Sequence, residues 1–257
     1  MISFPDINPT AFSIFGIDIQ WYGIAYATGL LLGLFYSKKL INNKNGLQKK
    51  AFDDLIFWIA LGTIIGGRLG YVIFYNLNFY FQNPLEIFKI WQGGMSFHGA
   101  LIGIILTTIA FSIKKNISIF QLSDLLSITA PVGIFLGRIS NFLNKELIGK
   151  PTEFFFSVRY PNEAIYRHIS QIYEAIFEGL ILFILLNFIF KKKFLKIPGL
   201  ISALFLIFYS IFRFFIEFTR EPDEHIGLLI FNLSMGQIIS AIVLLIGVFL
   251  WQFKKNV

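Results

Sequence analysis

The sequence contains no cysteine, which excludes a disulfide frame, a thiolate nucleophile and a cysteine-ligated metal. Any thiol in its chemistry must therefore arrive on a substrate. Charge is scarce as well: 14% of residues are Asp, Glu, Lys or Arg, against about 25% in a soluble domain. Histidine is scarcer still. His98, His168 and His225 lie far apart and lack the spacing of a metal site, so neither a metal nor a cofactor is expected. No Gly-x-Ser-x-Gly elbow and no P-loop occurs, which argues against hydrolysis through a serine nucleophile. The stretch from Met1 to Pro9 has no basic region, and Asp6 and Asp18 precede the first apolar run, unlike a cleaved signal peptide.

What the chain does have is apolar surface. Hydrophobic residues make up 56% of its 257 positions and the mean hydropathy is +0.69, which identifies a membrane protein. A helical span needs roughly 20 apolar residues. Runs of that order fall at 21–36, 55–75, 95–113, 119–136, 172–190, 200–218 and 235–251, so an all-α integral membrane protein with seven transmembrane helices is expected, folded as one polytopic domain over 1–257. The 18% aromatic share, mainly Phe, suits a lipid-facing surface. The net charge of +7 would suggest nucleic acid in a soluble protein; here it reflects lysines that hold cytoplasmic loops in place, and no nucleic-acid partner is expected.

Those lysines orient the chain. With the N-terminus outside, the cytoplasmic segments carry thirteen basic residues, all lysine: Lys38, Lys39, Lys44, Lys49, Lys50, Lys114, Lys115, Lys191, Lys192, Lys193, Lys196, Lys254 and Lys255. The outer loops carry five, Lys89, Lys145, Lys150, Arg159 and Arg167. The positive-inside rule therefore expects the N-terminus outside and the C-terminus in the cytoplasm. The longest outer segment, 139–170, is too polar to span and is expected to form a small extracytoplasmic cap of short elements.

This topology gathers the polar residues of the helices in the outer half. Tyr22 opens the first helix, Arg68 lies late in the second, His98 starts the third and Arg138 ends the fourth. In the sixth, Arg213, Glu217 and Arg220 are spaced i, i+4 and i+7 and share one stripe. A charge at membrane depth costs on the order of 2.5–3.5 kcal/mol even on the lenient insertion scale, so such residues face partners or a polar cavity. Four arginines against one helical carboxylate, Glu217, with Glu146 and Glu174 nearby, leave an expected excess of positive charge that an anionic ligand would complete. Gly137-Arg138-Ile139-Ser140-Asn141-Phe142-Leu143-Asn144-Lys145-Glu146 places a guanidinium beside two carboxamides and a carboxylate, and guanidinium is the group best matched to phosphate. Arg68, among Gly66, Gly67 and Gly70, divides between close helix packing and the site. His98, flanked by Gly94 and Gly99, is either a structural histidine or a base. Tyr22 belongs either to the aromatic belt or to the site, and Gln171, Tyr173 and Glu174 carry the same ambiguity. Together these residues point to a membrane enzyme acting on a phospholipid headgroup. A transporter or flippase for an anionic lipid or small molecule would need polar groups through both leaflets, whereas the inner half is bland apart from Asp124; a non-catalytic lipid-binding scaffold would not explain the Asn and Glu grouping around Arg138.

The same residues carry a resemblance. Trp21-Tyr22-Gly23, the segment 66–71, the segment 93–99, the Gly137 motif, the segment 168–174, Phe212-Arg213, the segment 217–223 and the segment 234–237 together make the chain similar, in one order over nearly its whole length, to the bacterial prolipoprotein diacylglyceryl transferases. The Gly-Arg-x-x-Asn-Phe-x-Asn-x-Glu segment is the most specific piece. The resemblance implies a seven-helix inner-membrane enzyme, its site toward the outer face, that moves the diacylglyceryl group of phosphatidylglycerol onto the lipobox cysteine thiol of a prolipoprotein, anchored among membrane lipids by its signal peptide, with release of glycerol phosphate. It also implies functional roles for Tyr22, His98, Arg138, Asn141, Glu146, Gly149, Arg213, Glu217 and Arg220, with Arg138 and Arg213 on the phosphate and His98 as the candidate base. Ser140 and Lys145 stand where that family commonly has glycine, and Ile169 where it commonly has proline.

Overall fold

The computed structural model describes residues 1–5, 7–14, 17–41, 49–193, 197–222 and 227–255. Asp6, Lys44, Lys196, Asp223 and His225, on which parts of the sequence reading drew, lie outside them, as do the side chains of Lys49, Lys50, Lys191, Lys192, Lys193 and Lys255. The chain is mostly helical. Six helical stretches are long and apolar enough to cross a membrane: Phe52–Tyr75, Phe97–Lys115, Ile119–Leu143, Ser170–Phe190, Leu200–Thr219 and Met235–Lys254. With the family reported below, they make this a multi-pass membrane protein. The first expected span is also a helix, α1 (Trp21–Leu40), whose Tyr, Thr, Gly and Lys content leaves it less apolar than the six.

The chain folds as two compact units, residues 38–123 and residues 1–37 with 124–257. In the first, α2 (Lys49–Tyr75) packs along α4 (Phe97–Lys115). Glycine makes the approach possible: a Cβ on Gly66 would lie 2.9 Å from the Gly103 Cα, and one on Gly99 would lie 2.8 Å from the Gly70 Cα. The i, i+4 glycine spacing on both helices thus lays two bare backbone stripes together. Between them run α3 (Leu77–Gln82) and two short 3-10 turns, Pro84–Phe88 and Ile90–Gln92.

In the second unit, β1 (Ile2–Ser3) pairs in parallel with β4 (Ser157–Arg159), which pairs antiparallel with β5 (Arg167–His168), and β2 (Thr10–Ile14) forms a hairpin with β3 (Ile17–Gln20). Phe4, Val158, Tyr160 and Ile169 form the small core under the three-stranded sheet. The helices are α1, α5 (Ile119–Leu143), α6 (Ser170–Glu174), which continues through a π-helical segment, Ala175–Ile181, into α7 (Leu182–Lys193), then α8 (Leu200–Ile216) and α9 (Met235–Lys255). A Cβ on Gly29 would lie 3.0 Å from the Gly133 Cα, so α1 crosses α5 at contact distance. The fourth run extends further than its apolar residues suggested. Helix α5 continues to Leu143, so Arg138 and Asn141 lie inside its last two turns rather than at and beyond its end.

Asp124 fixes the other end of this unit. Fully buried on α5, its carboxylate accepts from the Gly199 and Ser202 amides, each at 2.8 Å, and from the Ser202 hydroxyl at 2.7 Å. It thereby caps α8, whose first amides have no carbonyl of their own to bond and whose N-terminal dipole favours an anion. Asp124→Ala leaves two buried amides unpartnered, each at about 1–3 kcal/mol. Its thermal unfolding midpoint in detergent micelles is expected several degrees below wild type, and an unchanged midpoint would contradict the capping role.

Candidate active site

Three arginines and three glutamates meet where α5, the α6–π–α7 rod and the C-terminal end of α8 come together. Arg138 on α5 places Nε 3.2 Å from Glu174 Oε2 and Nη2 3.3 Å from Glu178 Oε2. Arg213 on α8 ion-pairs through Nη1 with Glu174, lies 3.5 Å from Glu178 Oε1, and places Nη2 2.6 Å from Glu217 Oε2. Arg220 adds longer contacts, 3.8 Å to Glu174 and 4.0 Å to Glu217. Glu217 also accepts from the Ser234 hydroxyl at 2.9 Å, and its carboxylate fills the space a Cβ on Gly236 would need. Glu174 and Glu178 are entirely buried.

Local structure explains the convergence. Gly179 sits in the π segment with no side chain between it and α5; a Cβ there would come within 2.6 Å of the Phe135 Cβ. Phe135 lies one turn before Arg138, so this close approach puts Glu178 beside the guanidinium. A π turn inside a helix is uncommon and marks functional segments often. The stripe predicted on α8 is broken by a 3-10 turn at Glu217–Thr219, which swings Arg220 into extended backbone without removing it from the cluster.

The expected excess of positive charge in this cluster is corrected by the structure. Among the described residues Arg138, Arg213 and Arg220 face Glu174, Glu178 and Glu217, three against three. The sequence reading overlooked Glu178, although Glu174 and Glu178 at i, i+4 in an apolar run without a nearby cation were a signal, because an unpaired carboxylate there is costly. Tyr209, one turn before Arg213, and Tyr26 were also overlooked. Tyr209 lies in the field of Arg138, Arg213 and Glu178. Within the cluster Arg138 is the most accessible cation, its side chain 18% exposed against 10% for Arg213 and 10% for Arg220. Its Nε and Nη2 carry both ion pairs, and its Nη1 has no partner among the described residues.

The motif residues after Arg138 form a folded turn. Asn141 Nδ2 donates to Glu146 Oε2 at 2.9 Å, and the Asn141 carbonyl accepts from the Glu146 amide at 2.9 Å. Gln171 Nε2 donates to the Glu146 carbonyl at 2.6 Å, and Ser170 Oγ to the Leu147 carbonyl at 3.1 Å, so the start of α6 pins the turn. Gly149 follows. Its backbone bridges to Arg220, its carbonyl accepts from Arg167 Nη1 at 3.1 Å, and a Cβ on it would lie 2.8 Å from the His168 carbonyl carbon. It joins the polypeptide stretches that carry Arg220 and Glu146, which is a backbone role. Tyr22 accepts from the Tyr26 hydroxyl at 3.1 Å, and Tyr26 lies in the field of Arg138 and Glu146.

Two predicted residues lie in the other unit. Arg68 is a brace: its guanidinium donates to the carbonyls of Glu86, Ile87, Lys89, Gly93 and Gly94 at 2.6–3.4 Å, and it lies 5.1 Å from the Tyr80 ring centroid. Its donors tie down the turns between α3 and α4. His98 is exposed in the first turn of α4, whose N-cap is Ser96, with its ring edge-on to Phe97. Among the described residues no three His, Cys, Asp or Glu could hold a metal ion together.

The family model described as prolipoprotein diacylglyceryl transferase matches residues 9–253. The chain belongs to that family. Proteins named phosphatidylglycerol–prolipoprotein diacylglyceryl transferase are similar to it over nearly their full length: one from Rickettsia typhi is 49% identical over 249 residues, 96% of each chain, and one from Rickettsia felis 47% identical over 252 residues, 97% of each chain. In this transferase-family chain Lys145 and Ile169 have physical explanations, and Ser140 has none. Lys145 adopts φ +58°, the left-handed region where glycine carries no penalty. Ile169 precedes α6 at φ −86°, near the value proline fixes, and its side chain adds to the small core. Ser140 is buried with its hydroxyl unpartnered among the described residues. Gly149→Ala forces a Cβ into backbone and is expected to cost about 1–3 kcal/mol, whereas Lys145→Gly exchanges strain for chain entropy and is expected to stay within about 1 kcal/mol of wild type. Thermal unfolding of the two variants checks this; equal midpoints would contradict it.

Proposed function

We propose that this chain transfers the diacylglyceryl group of phosphatidylglycerol to the thiol of a prolipoprotein's lipobox cysteine, forming a thioether and releasing glycerol phosphate. Family membership favours this transferase reading over transport of an anionic lipid. The sulfur attacks C3 of the glyceryl group, the C3–O bond breaks with its electron pair on the phosphate oxygen, and the thiol proton goes to a base. A phosphodiester monoanion thereby becomes a phosphomonoester, which carries a second charge near neutral pH because its second pKa is about 6. Donors preorganised where that charge develops stabilise the transition state.

The observation that carries the assignment is the posture of Arg138: one edge is held by two buried carboxylates, and Nη1 has no partner among the described residues. Arg138 is the phosphate donor in this scheme. Arg213 and Arg220 share the carboxylates and fix the local field, Glu217 orients Arg213, and Asn141 with Glu146 shapes the turn against the headgroup. Tyr22, through Tyr26, borders the same region. His98 is the candidate thiol base, an exposed imidazole at the start of α4.

In the bilayer, the six apolar helices and α1 make seven spans of a bacterial cytoplasmic membrane protein, with the N-terminus outside, the C-terminus in the cytoplasm and the segment 139–170, whose first five residues belong to α5, as a cap on the outer face. The thirteen lysines assigned to one side support this orientation. Phosphatidylglycerol then enters from the outer leaflet, and the prolipoprotein approaches on its own signal-peptide helix.

Purified protein in phosphatidylglycerol-containing micelles, given a lipobox peptide and lipid labelled in its acyl chains, should yield a thioether-linked labelled peptide. Product should vanish with a Cys→Ser peptide and fall at least about 100-fold in Arg138→Ala, comparable to the loss of one oxyanion donor. Folded wild type that makes no thioether would refute the transferase assignment.

A further inference from the structure

Glu178 has a place in the cluster that stability alone does not require. It is wholly buried and it touches both arginines: Arg138 Nη2 donates to its Oε2 at 3.3 Å, and Arg213 Nη1 lies 3.5 Å from its Oε1, a longer contact than Glu174 and Glu217 make with Arg213. Glu178 Oε1 makes no hydrogen bond among the described residues, a property it shares with Glu174 Oε2 and Glu217 Oε2. Glu174 joins Arg138 to Arg213 and Glu217 is anchored by Ser234, so Glu178 is the third carboxylate on an already connected pair. Its backbone lies in the π segment, pressed on α5 by Gly179, so the carboxylate is held at the arginines rather than drifting to them.

The reaction proposed above ends with a problem that such a residue answers. The leaving group departs with one more negative charge than the lipid brought in, and three arginines without counter-charges would hold a dianion tightly. We propose that Glu178 is a positioning residue for product release: it competes with the phosphate for Arg138, sets a third negative charge against the three arginines, and so lowers the affinity of the cluster for glycerol phosphate. The lipid phosphodiester, with one charge, is opposed less than the phosphomonoester with two. This inference rests on the transferase reading for its ligand, but its central quantity is an equilibrium affinity that needs no turnover.

The test is binding of glycerol phosphate to purified, folded protein, read by titration calorimetry in lipid-free micelles, and its inhibition of transfer where transfer is measurable. Glu178→Gln keeps size and removes the charge; its affinity for glycerol phosphate is expected to rise at least about 10-fold over wild type, with inhibition strengthened in parallel. A merely structural role predicts the opposite, a loosened cluster with weaker binding. Glu178→Asp, which keeps the charge but shortens its reach, is expected to tighten binding about 3-fold and carries the same test should the Gln variant not fold. Affinity unchanged or weakened in the folded variants would overturn the proposal. Glycerol phosphate that binds wild type and binds Glu178→Gln more tightly, in a protein that makes no thioether, would support anion competition while the transferase assignment failed on its own assay.

Discussion

Mutual neutralisation of buried charge is the constraint on which one end of the larger unit depends. Glu174 and Glu178 have no solvent contact, and Arg138, Arg213 and Arg220 have little. Removing such ions from water costs several kcal/mol apiece even after relaxation, and only close pairing with further hydrogen bonds repays it. The pairing spans three helical elements distant in sequence. Helix α5, the α6–π–α7 rod and α8 must therefore approach at one register, which explains why Gly179 meets Phe135 without a side chain between them and why the helix takes a π turn there. At the opposite end Asp124 supplies a second fixed point between α5 and α8. The two helices are pinned near both ends.

A formally neutral cluster still recognises an anion, because recognition depends on which donors face outward rather than on a sum of charges. Arg138 turns its Nε–Nη2 edge to the carboxylates, and its Nη1 has no partner among the described residues. Its planar fork preserves that geometry in a way a lysine would not. The turn after α5 completes the setting: Asn141 holds Glu146, Gln171 holds the Glu146 carbonyl, and Gly149 carries the chain against His168 and Arg220. Catalytic power in this scheme comes from donors set in place before charge develops.

The membrane-spanning helices were legible in the sequence because apolar length is a local property. So was the grouping of the motif residues, since Arg138 lies one turn before Asn141 and Asn141 bonds Glu146 five residues on. Partners between distant elements were not legible. Residue types at Glu174, Glu178, Arg138 and Arg213 are all visible, but which carboxylate meets which arginine is decided by helix packing, and counting only Glu217 among the helical carboxylates overstated the positive charge around Arg138, Arg213 and Arg220. Arg68 illustrates the same gap: its glycine-rich surroundings were visible, whereas the five carbonyls it binds belong to residues 18 to 26 positions on. The short strands, two to five residues each, have no periodicity long enough to read, and the last two turns of α5 were hidden because their polar residues find partners inside the fold.

The most direct measurement of the central claim is a double-mutant cycle on the link between Arg213 and Glu174, read as unfolding free energy in detergent. Each single change, Arg213→Gln or Glu174→Gln, strands a buried charge and is predicted to cost about 3–5 kcal/mol. The double variant restores the balance and is predicted to be more stable than the less stable single variant, with a coupling of at least about 1 kcal/mol. Costs that simply add would mean that these charges do not depend on one another, and that something other than charge pairing holds the three elements in register.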